Sequence, residues 1–236
     1  MRVGVIQSSF IPWRGYFDFI ASVDRFVFYD DVQFSKGSWR NRNRIKTNKG
    51  SEWLSVPVRH ESISQLIHQT KIDYSQNWAK KILGSWWANY AKTPYFIDAS
   101  RILTEIEFSH SKTISELNVN LTKLLCDYLE ISTPMSLSTD YSLSGTRTER
   151  LIDLLKKLDA TAYLSGPSAD DYLDKEAFRD NEIQLEFKSY DYKPYRQLWG
   201  TFEGSVTVLD VIANCGHDAR SLIRSRTPDR IVVPRE

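Results

Sequence analysis

The sequence predicts an α/β fold built on a mostly parallel sheet, and three features of the chain lead to this prediction. The segment RVGVI at residues 2–6 is nearly all apolar, as strands covered on both faces of a sheet are. A polar turn and a helical pattern follow, and the second apolar segment, RFVFY at residues 25–29, repeats its character. Strand and helix signals then alternate toward the C-terminus, apart from a mainly helical stretch at about 75–130. We therefore expect a Rossmann-like single domain spanning residues 1–236, with a helical insertion at about 75–130.

The first four predicted elements form a βαβ unit. A strand is expected at Met1–Gln7, a turn at Ser8–Gly15, a helix at Tyr16–Val23 and a second strand at Arg25–Asp31. In open α/β sheets, ligands sit beyond the carboxyl ends of the parallel strands. The sequence therefore predicts a binding site at the edge of the sheet where both strands finish.

The middle of the chain is predicted to contain one more strand and then the helical insertion. Trp53–Val58 is a candidate strand, which Pro57 places toward an edge because proline cannot donate to a ladder. The polar stretch 59–75 is expected to be irregular, with one short strand near Leu66–Ile72. Apolar residues then recur at helical spacing before the Lys92–Pro94 stop; these residues are Trp78, Ile82, Leu83, Trp86 and Tyr90.

Two capping-box sequences mark further helix starts. In a capping box, a hydroxyl and a carboxylate satisfy backbone N–H groups that the helix leaves free. Thr113–Glu116 is predicted to open one helix and Thr146–Glu149 another. Asp98–Leu103 is expected to begin a helix or a short connector, and residues 131–145 are expected to form a strand and a loop.

The C-terminal third is predicted to return to the sheet. Ala160–Ser165 is expected to be a strand that ends in the turn Gly166–Ser168. Ile183–Tyr192 alternates apolar and polar residues, as a half-exposed strand does. Val206–Ala213 suits a helix or a strand, and the tail from Thr227 is expected to be extended.

Composition limits the classes of function. Lysine and arginine (31) nearly balance aspartate and glutamate (30), so no overall field favours nucleic acid or an anionic membrane. No stretch approaches the roughly 18 apolar residues that a membrane span needs, and the N-terminus lacks the pattern of a signal peptide. Cys126 and Cys215 are too few for a disulfide framework and lie at no metal-ligand spacing. We therefore expect a cytoplasmic protein without a nucleic-acid partner or a membrane span, and we predict no cofactor.

The turn Ser8–Gly15 is a candidate anion site. It lies between a strand and a helix N-terminus, where free N–H groups favour negative charge, and Arg14 adds a guanidinium group. The order of Phe10 and Pro12 is similar to the Phe-x-Pro-x-His-x-Gly-His turn of HIGH-type nucleotidyltransferases, but neither histidine is present. The alternative is a structural turn with Phe10 and Trp13 packed inside.

Two carboxylates close the second predicted strand. Adjacent strand residues face opposite ways, so at most one of Asp30 and Asp31 shares a side with Gln33. Either acid could accept a proton from an attacking amine, or hold a hydroxyl or a metal. The alternative is a salt bridge to the arginines that follow. A dedicated metal site is not predicted, because no second acid or histidine occurs at a ligand spacing.

The segment SWRNRNRIKT concentrates positive charge. Its residues Arg40, Arg42 and Arg44 alternate with Asn41 and Asn43. In an extended chain this alternation places the three guanidinium groups on one side. Close cations repel one another unless an anion or carboxylates neutralise them, so the segment predicts an anionic ligand. The alternative is a run of charges solvated at the surface.

The corner after the later strand is predicted to reach the same crevice. Ser165 and Gly166 lie where the strand Ala160–Ser165 turns, and the expected topology brings them near Gln7. The four histidines are scattered, and none sits beside a serine in a nucleophile elbow. A Ser-His-Asp hydrolase therefore has little support.

Several motifs together resemble the WbqC-like family of bacterial proteins. They are IQSSFIPWRGYFDFIASVDRFVFYDDVQFSKGSWRNRNRIKT, WLSVPV, KTPYF, YLSGPSADDYL and SVTVLDVIANCG, and they cover nearly the whole chain. Members of this family occur in gene clusters for O-antigen and other surface polysaccharides. They are proposed to transfer glycine or a related acyl group onto an amino sugar. One departure is that family members often carry a histidine ahead of the KTPYF-like segment, where this chain has Lys81-Ile82.

The resemblance implies a transferase that moves a glycyl, aminoacyl or other acyl group onto the amine of a nucleotide-linked amino sugar. The expected acyl donor is a carrier-protein thioester, an adenylate or a coenzyme A thioester. Asp30 or Asp31 would take the proton of the amine. The residues expected to bind the substrates are Gln7, Phe10, Pro12, Trp13, Arg14, Tyr16, Gln33, Trp39, Arg40, Asn41, Arg42, Arg44, Ser165 and Gly166.

Two other functions stay open at this point. A nucleotidyl- or glycosyltransferase would act on the same class of ligand but would depend on a divalent metal. A non-catalytic protein that binds a sugar nucleotide or a carrier would keep its affinity for that ligand when Asp30 and Asp31 are replaced by asparagine.

Overall fold

The computed structural model describes residues 1–235. Its strands are β1 Arg2–Ile6, β2 Arg25–Phe28, β3 Arg42–Thr47, β4 Gly50–Ser55, β5 Met135–Leu137, β6 Ala162–Ser165, β7 Gln184–Phe187 and β8 Arg230–Val233. Its α-helices are α1 Arg14–Ala21, α2 Trp78–Tyr90, α3 Phe96–Phe108, α4 Ile114–Tyr128, α5 Arg147–Lys157, α6 Lys175–Asp180, α7 Val208–Cys215 and α8 Ala219–Leu222. In this part of the chain, no helix is long and apolar enough to cross a bilayer.

Six strands form the main sheet in the order β5-β2-β1-β6-β7-β8. The first five are parallel, and β8 pairs antiparallel with β7. The chain starts at the central strand β1, builds outward through β2 and β5, and then returns to β6 on the other side of β1. This order confirms the predicted α/β fold with a mostly parallel sheet. It also places the reversal of strand order between β1 and β6, where open sheets of this kind form a ligand crevice.

Helices cover both faces of the sheet. One face packs against α1, the insertion α2–α4 and α7, through side chains that include Phe19 and Phe26. The other face packs against α5 and α6, through Val3 and Val5 of β1 and Leu155 of α5. Full burial of one such side chain contributes about 1.5–3 kcal/mol. Because both faces are buried, the inner strands are apolar throughout. This apolar pattern allowed them to be predicted from the sequence.

Gly4 permits the close packing of α1 on β1. A Cβ atom at this position would lie 2.5 Å from Cε1 of Phe19 and 3.2 Å from Cγ1 of Val23. The glycine therefore sets how closely the first helix approaches the central strand, and with it the position of the turn that joins them.

The predicted helical insertion is confirmed by α2, α3 and α4. Within it, the rings of Trp86 and Tyr90 stack with centroids 3.9 Å apart. The predicted strand near Leu66–Ile72 is wrong. The chain there makes a 3₁₀ turn at Ile67–Gln69, and the residues on either side form only isolated bridges, such as Gln33↔Leu66 and Val58↔Ile72.

The third predicted strand lies outside the main sheet. It forms β4, which pairs antiparallel with β3 in a separate hairpin. The two strands join at Thr47↔Gly50, where Gly50 has a φ of 109° that other residues rarely adopt. The backbone N–H of Thr207 donates to the carbonyl of Arg44, which ties the hairpin to the segment before α7. The Arg/Asn segment therefore runs beside the sheet edge and is not part of the sheet.

Only one of the two predicted capping boxes forms. At α4, the Thr113 hydroxyl accepts from the N–H of Glu116, and the Glu116 carboxylate accepts from the N–H of Thr113. At α5, Thr146 occupies the N-cap but its side chain makes no cap hydrogen bond. Arg147, the first helical residue, has a φ of 49°, and this left-handed backbone breaks the geometry that the box requires.

The C-terminal segments correct one expectation and agree with two others. The strand predicted at Ile183–Tyr192 ends at Phe187 and is largely buried, because β6 and β8 flank it and helices cover it. The segment predicted as a helix or a strand at Val206–Ala213 is the helix α7, and the extended tail is the edge strand β8.

Residues 188–207 form a long irregular segment that buried hydrogen bonds hold in place. Asp210 accepts from the Tyr90 hydroxyl (2.5 Å), the Tyr195 hydroxyl (2.7 Å) and Nε2 of Gln197 (2.7 Å). Burial raises the pKa of Asp210, and the three donors act against that effect. The segment is therefore a fixed wall beside α1.

The two N-caps provide a matched test of the capping geometry. We expect Thr113→Ala to lower the free energy of unfolding by about 1 kcal/mol, because it removes a formed cap. Thr146→Ala should change it by less than about 0.5 kcal/mol, as an exposed substitution without partners does. Urea unfolding followed by circular dichroism measures both values. Equal losses in the two variants would contradict the structure at α5.

Candidate functional site

A cavity of about 1000 Å³ lies at the carboxyl edge of the sheet, where β1 and β6 end. Gln7 follows β1 and lines it, and Ser165 and Gly166 at the end of β6 line it from the neighbouring strand. Trp13 and Tyr16, at the start of α1, form part of the same wall. The cavity therefore occupies the crevice that the strand order creates.

Within residues 1–235, every charged side chain that lines the cavity is an arginine. The four are Arg40, Arg44, Arg147 and Arg150. Within the described residues, only Arg150 of these forms an ion pair. Guanidinium groups that share a cavity and keep most of their charge uncompensated create a positive potential in it. The cavity is therefore suited to a negatively charged ligand.

Arg40 is held by neutral groups. Its Nη1 donates to Oε1 of Gln7 at 2.6 Å, and its own carbonyl accepts from Nδ2 of Asn118 at 2.8 Å. Its Nε is buried and has no partner in the described chain. Burial lowers the pKa of Arg40, while the nearby Tyr16 and Asp30 act in the opposite direction. The guanidinium group keeps its charge, as arginine does in proteins.

The hairpin arginines lie against tryptophan rings. The guanidinium carbon of Arg42 lies 4.1 Å from the Trp53 ring centroid, and that of Arg44 lies 5.4 Å from Trp53 and 5.5 Å from Trp39. The two rings are themselves 5.2 Å apart. Trp39 lines the cavity and is 43% exposed, so its indole is open to a ligand. Cation–π contacts of this kind orient a guanidinium group without neutralising it.

The three arginines of the segment do not all face the cavity. Residues 39–41 form a turn, and the extended backbone begins only at Arg42. Arg42 and Arg44 share the Trp53 side of the hairpin, as alternation requires, but only Arg44 lines the cavity. Arg40 reaches it from the turn. The prediction of three guanidinium groups on one side therefore fails at the turn.

The opposite wall is formed by the start of α5. Arg147 and Arg150 line the cavity from its first turn. Nη2 of Arg150 donates to the carboxylate of Asp31, which in turn accepts from the Ser138 hydroxyl at 2.5 Å. Burial lowers the pKa of Arg150, but the hydrogen bond and the charge of Asp31, together with Tyr29, outweigh it and raise the pKa overall. Asp31 thus positions an arginine of the cavity wall.

Asp30 lies beneath the cavity and does not line it. It is 1% exposed, and its two carboxylate oxygens accept from the N–H of Ser8 (2.7 Å) and the hydroxyl of Ser115 (2.5 Å). These bonds join the end of β1 to the start of α4. The geometry favours a structural role for Asp30, and the general base predicted from the sequence does not face the cavity at this position.

Four other predicted site residues lie away from the cavity lining. Phe10 is fully buried in the core, and Gln33 is exposed and donates to the carbonyl of Ile63. Asn41 donates to the carbonyl of Val56. Arg14 is 4% exposed and donates to the carbonyls of residues 193 (2.9 Å) and 222 (3.1 Å). Burial lowers the pKa of Arg14, and the bonds show that it holds the irregular segment in place.

The structure therefore brings together nine of the predicted substrate-binding residues around one cavity. They are Gln7, Pro12, Trp13, Tyr16, Trp39, Arg40, Arg44, Ser165 and Gly166. Sequence reasoning missed Arg147 and Arg150, together with Tyr29 and Tyr172. A signal for the two arginines existed, because they begin the helix that follows a parallel strand and so belong at the same edge.

Among the described residues that line the cavity there is no histidine, cysteine, aspartate or glutamate. Across positions 1–235, there is no group of three or more histidine, cysteine, aspartate or glutamate side chains that could hold a metal ion. Burial raises the pKa of Cys126 to about 12 and that of Cys215 to about 11, so both thiols are protonated at neutral pH.

Comparison with known proteins identifies the family of the chain. The family model described as "WbqC-like protein family" matches residues 7–222, and the chain belongs to this family. The chain is 43% identical over 226 residues to "Uncharacterized protein Rv1507c" of Mycobacterium tuberculosis (strain ATCC 25618 / H37Rv), a match that covers 94% of this chain and 97% of the relative. No solved structure matches the chain.

The structural role of Asp30 can be tested by stability. We expect Asp30→Ala to lower the free energy of unfolding by about 3 kcal/mol or more, because each hydrogen bond to a charged group contributes about 1.5–3 kcal/mol. Ser115→Ala removes one of the two bonds and should cost about half as much. Urea unfolding measures both variants. Wild-type stability in Asp30→Ala would show that the carboxylate is not held in this way.

Proposed function

We propose that this member of the WbqC-like family is a transferase that binds a nucleotide-linked amino sugar in the arginine-lined cavity and moves an acyl group, such as glycyl, onto its amine. The observation that carries the proposal is that four arginines line a cavity at the strand switch point, three of them without an ion-pair partner in the described chain. The family resemblance supplies the setting of surface-polysaccharide synthesis.

The size and lining of the cavity suit such a substrate. Pockets for small molecules and cofactors are about 300–1000 Å³, and this one is about 1000 Å³. Arginine forms two parallel hydrogen bonds to phosphate and keeps its charge at every physiological pH. Arg40 and Arg44 would hold the diphosphate, and the exposed indole of Trp39 would stack on the nucleobase or the sugar.

Neutral polar groups would orient the sugar. Gln7 lies beside Arg40, and Ser165 ends the neighbouring strand. The hydroxyl of Tyr16 donates to the carbonyl of Gln7 at 3.1 Å, and burial raises its pKa well above the ordinary value. Tyr16 therefore stays protonated at neutral pH and can act only as a hydroxyl that fixes the β1 end.

The proposed reaction is acyl transfer to nitrogen. The amine nitrogen attacks the carbonyl carbon of the acyl donor, and a C–N bond forms. The bond between that carbon and the leaving atom breaks, and the leaving group departs with the electron pair. The nitrogen releases a proton, which passes to the leaving group. The cavity contributes by holding the two groups at reacting distance and by stabilising negative charge that develops on the donor.

The cell compartment and the donor are part of the same proposal. Nucleotide-linked sugars would be acted on in the cytoplasm, and the donor would be an adenylate, a carrier-protein thioester or a coenzyme A thioester. All three carry phosphate, which suits the positive cavity. A nucleotidyl- or glycosyltransferase remains the second candidate, because the turn after β1 retains Phe10 and Pro12 in the order found in HIGH-type enzymes. Dependence of turnover on a divalent metal would favour that candidate.

Isothermal titration calorimetry with UDP-glucosamine tests the proposed ligand class. We expect binding by the wild-type protein and a Kd raised about 10- to 100-fold in Arg44→Gln, because one charge-assisted contact contributes about 1.5–3 kcal/mol. Uridine, which lacks the diphosphate, should bind far more weakly.

A matched control is Arg101→Gln, which removes one positive charge from the exposed side of α3, outside the cavity. Its Kd for UDP-glucosamine should equal that of the wild type. If neither UDP-glucosamine nor another nucleotide-linked amino sugar binds, the proposed ligand class is wrong. If Arg101→Gln weakens binding as much as Arg44→Gln, the cavity is not the site.

A further inference from the structure

We propose that the cavity holds two separate anion sites on opposite walls, so that two phosphate-bearing substrates bind at the same time. The names of those substrates rest on the function proposed above. The existence of two sites rests on where the fold places the four arginines, and it can be tested without knowing either substrate.

The first site lies on the wall formed by the β3–β4 hairpin and the turn before it. Arg40 and Arg44 line the cavity here, and Gln7 and Trp39 hold them through neutral contacts. The Nε atoms of both arginines are buried and have no partner in the described chain. Two guanidinium groups that line the same wall without an ion-pair partner can both donate to the oxygens of one phosphate group.

The second site lies on the wall formed by the start of α5. Arg150 is fixed there by Asp31, and Arg147 precedes it by one helical turn. The N-cap residue Thr146 leaves the first N–H groups of this 11-residue helix without a side-chain cap. An anion that contacts both arginines would therefore also meet the positive end of the helix dipole.

The two sites come from opposite faces of the sheet. The hairpin is attached to the face covered by α1 and α7, whereas α5 packs on the other face. Between them runs the edge of the sheet itself, with Gln7 after β1 and Ser165 at the end of β6. Each wall therefore offers its own pair of guanidinium groups, and the ends of β1 and β6 separate the pairs.

This arrangement implies direct transfer between two bound substrates. With one phosphate-bearing molecule on each wall, the amine and the acyl carbonyl meet above Gln7 and Ser165. The nitrogen forms a bond to the carbonyl carbon, the C–O or C–S bond of the donor breaks, and the leaving group takes the electron pair. The proton released by the nitrogen passes to that leaving group, so no further reactant is required.

Calorimetry with inorganic pyrophosphate counts the sites. The variants are Arg44→Gln for the hairpin wall and Arg147→Asn for the α5 wall, since asparagine adopts the left-handed backbone of residue 147 readily. Arg101→Gln, which lies outside the cavity, serves as the control. Circular dichroism and the Tm of each variant establish that it folds as the wild type does.

We expect two pyrophosphate ions per chain in the wild type and in the Arg101→Gln control. Arg44→Gln and Arg147→Asn should each weaken one of the two sites at least tenfold and leave the other unchanged, and the double variant should bind neither tightly. One ion per wild-type chain, or a single variant that weakens both sites equally, would overturn the two-site proposal and leave the proposed function standing. Absence of pyrophosphate binding in the wild type would count against the proposed function as well.

Discussion

The functional part of this structure depends on positive charge that the protein itself does not neutralise. Arg40 and Arg44 are oriented by an amide and by indole rings, which fix a guanidinium group but leave its charge in place. Burial of a cation without a partner is unfavourable, and a bound anion would remove that cost. The fold maintains this condition at Arg40 and Arg44 because the two carboxylates that follow β2 pair with other groups. Asp30 binds Ser8 and Ser115, and Asp31 binds Arg150.

The surrounding architecture fixes where that charge is placed. The close approach of α1 to Gly4 and the reversal of strand order between β1 and β6 open the crevice. The irregular segment 188–207 closes one side of it, and the buried Asp210 holds that segment through three donors. A rigid scaffold with polar side chains on its loops is a common way to build a binding site. Here the loops supply the arginines, and the sheet edge supplies the neutral groups between them.

The fold was readable from the sequence because each buried strand is a short apolar run and each long helix has a periodic stripe. RVGVI and RFVFY predicted the central parallel pair, and the insertion followed from the spacing of residues such as Trp86 and Tyr90. The capping boxes show the limit of this reasoning. Thr113 and Thr146 have the same local pattern, and only the backbone conformation at Arg147 decides that the second box does not form.

Part of the site could also be predicted from the sequence. Residues next to strand ends, such as Gln7 and Ser165, were placed correctly because parallel topology fixes them. The arginine segment was harder, since a turn at 39–41 interrupts the alternation, and Arg42 does not line the cavity although it shares the Trp53 side with Arg44. The prediction of a general base at Asp30 was not reliable, because a buried structural acid after a strand and a catalytic base have the same sequence pattern. Its partner Ser115 lies in the helical insertion, far away in the sequence, so no local sequence pattern predicts that contact.

A crystal structure of the protein with UDP-glucosamine bound would test the central claim most directly. The expected result is a diphosphate in the cavity, with its oxygens within about 3.2 Å of guanidinium nitrogens of Arg40 and Arg44. A diphosphate bound elsewhere on the protein, with Arg40 still bonded to Gln7 alone, would contradict it.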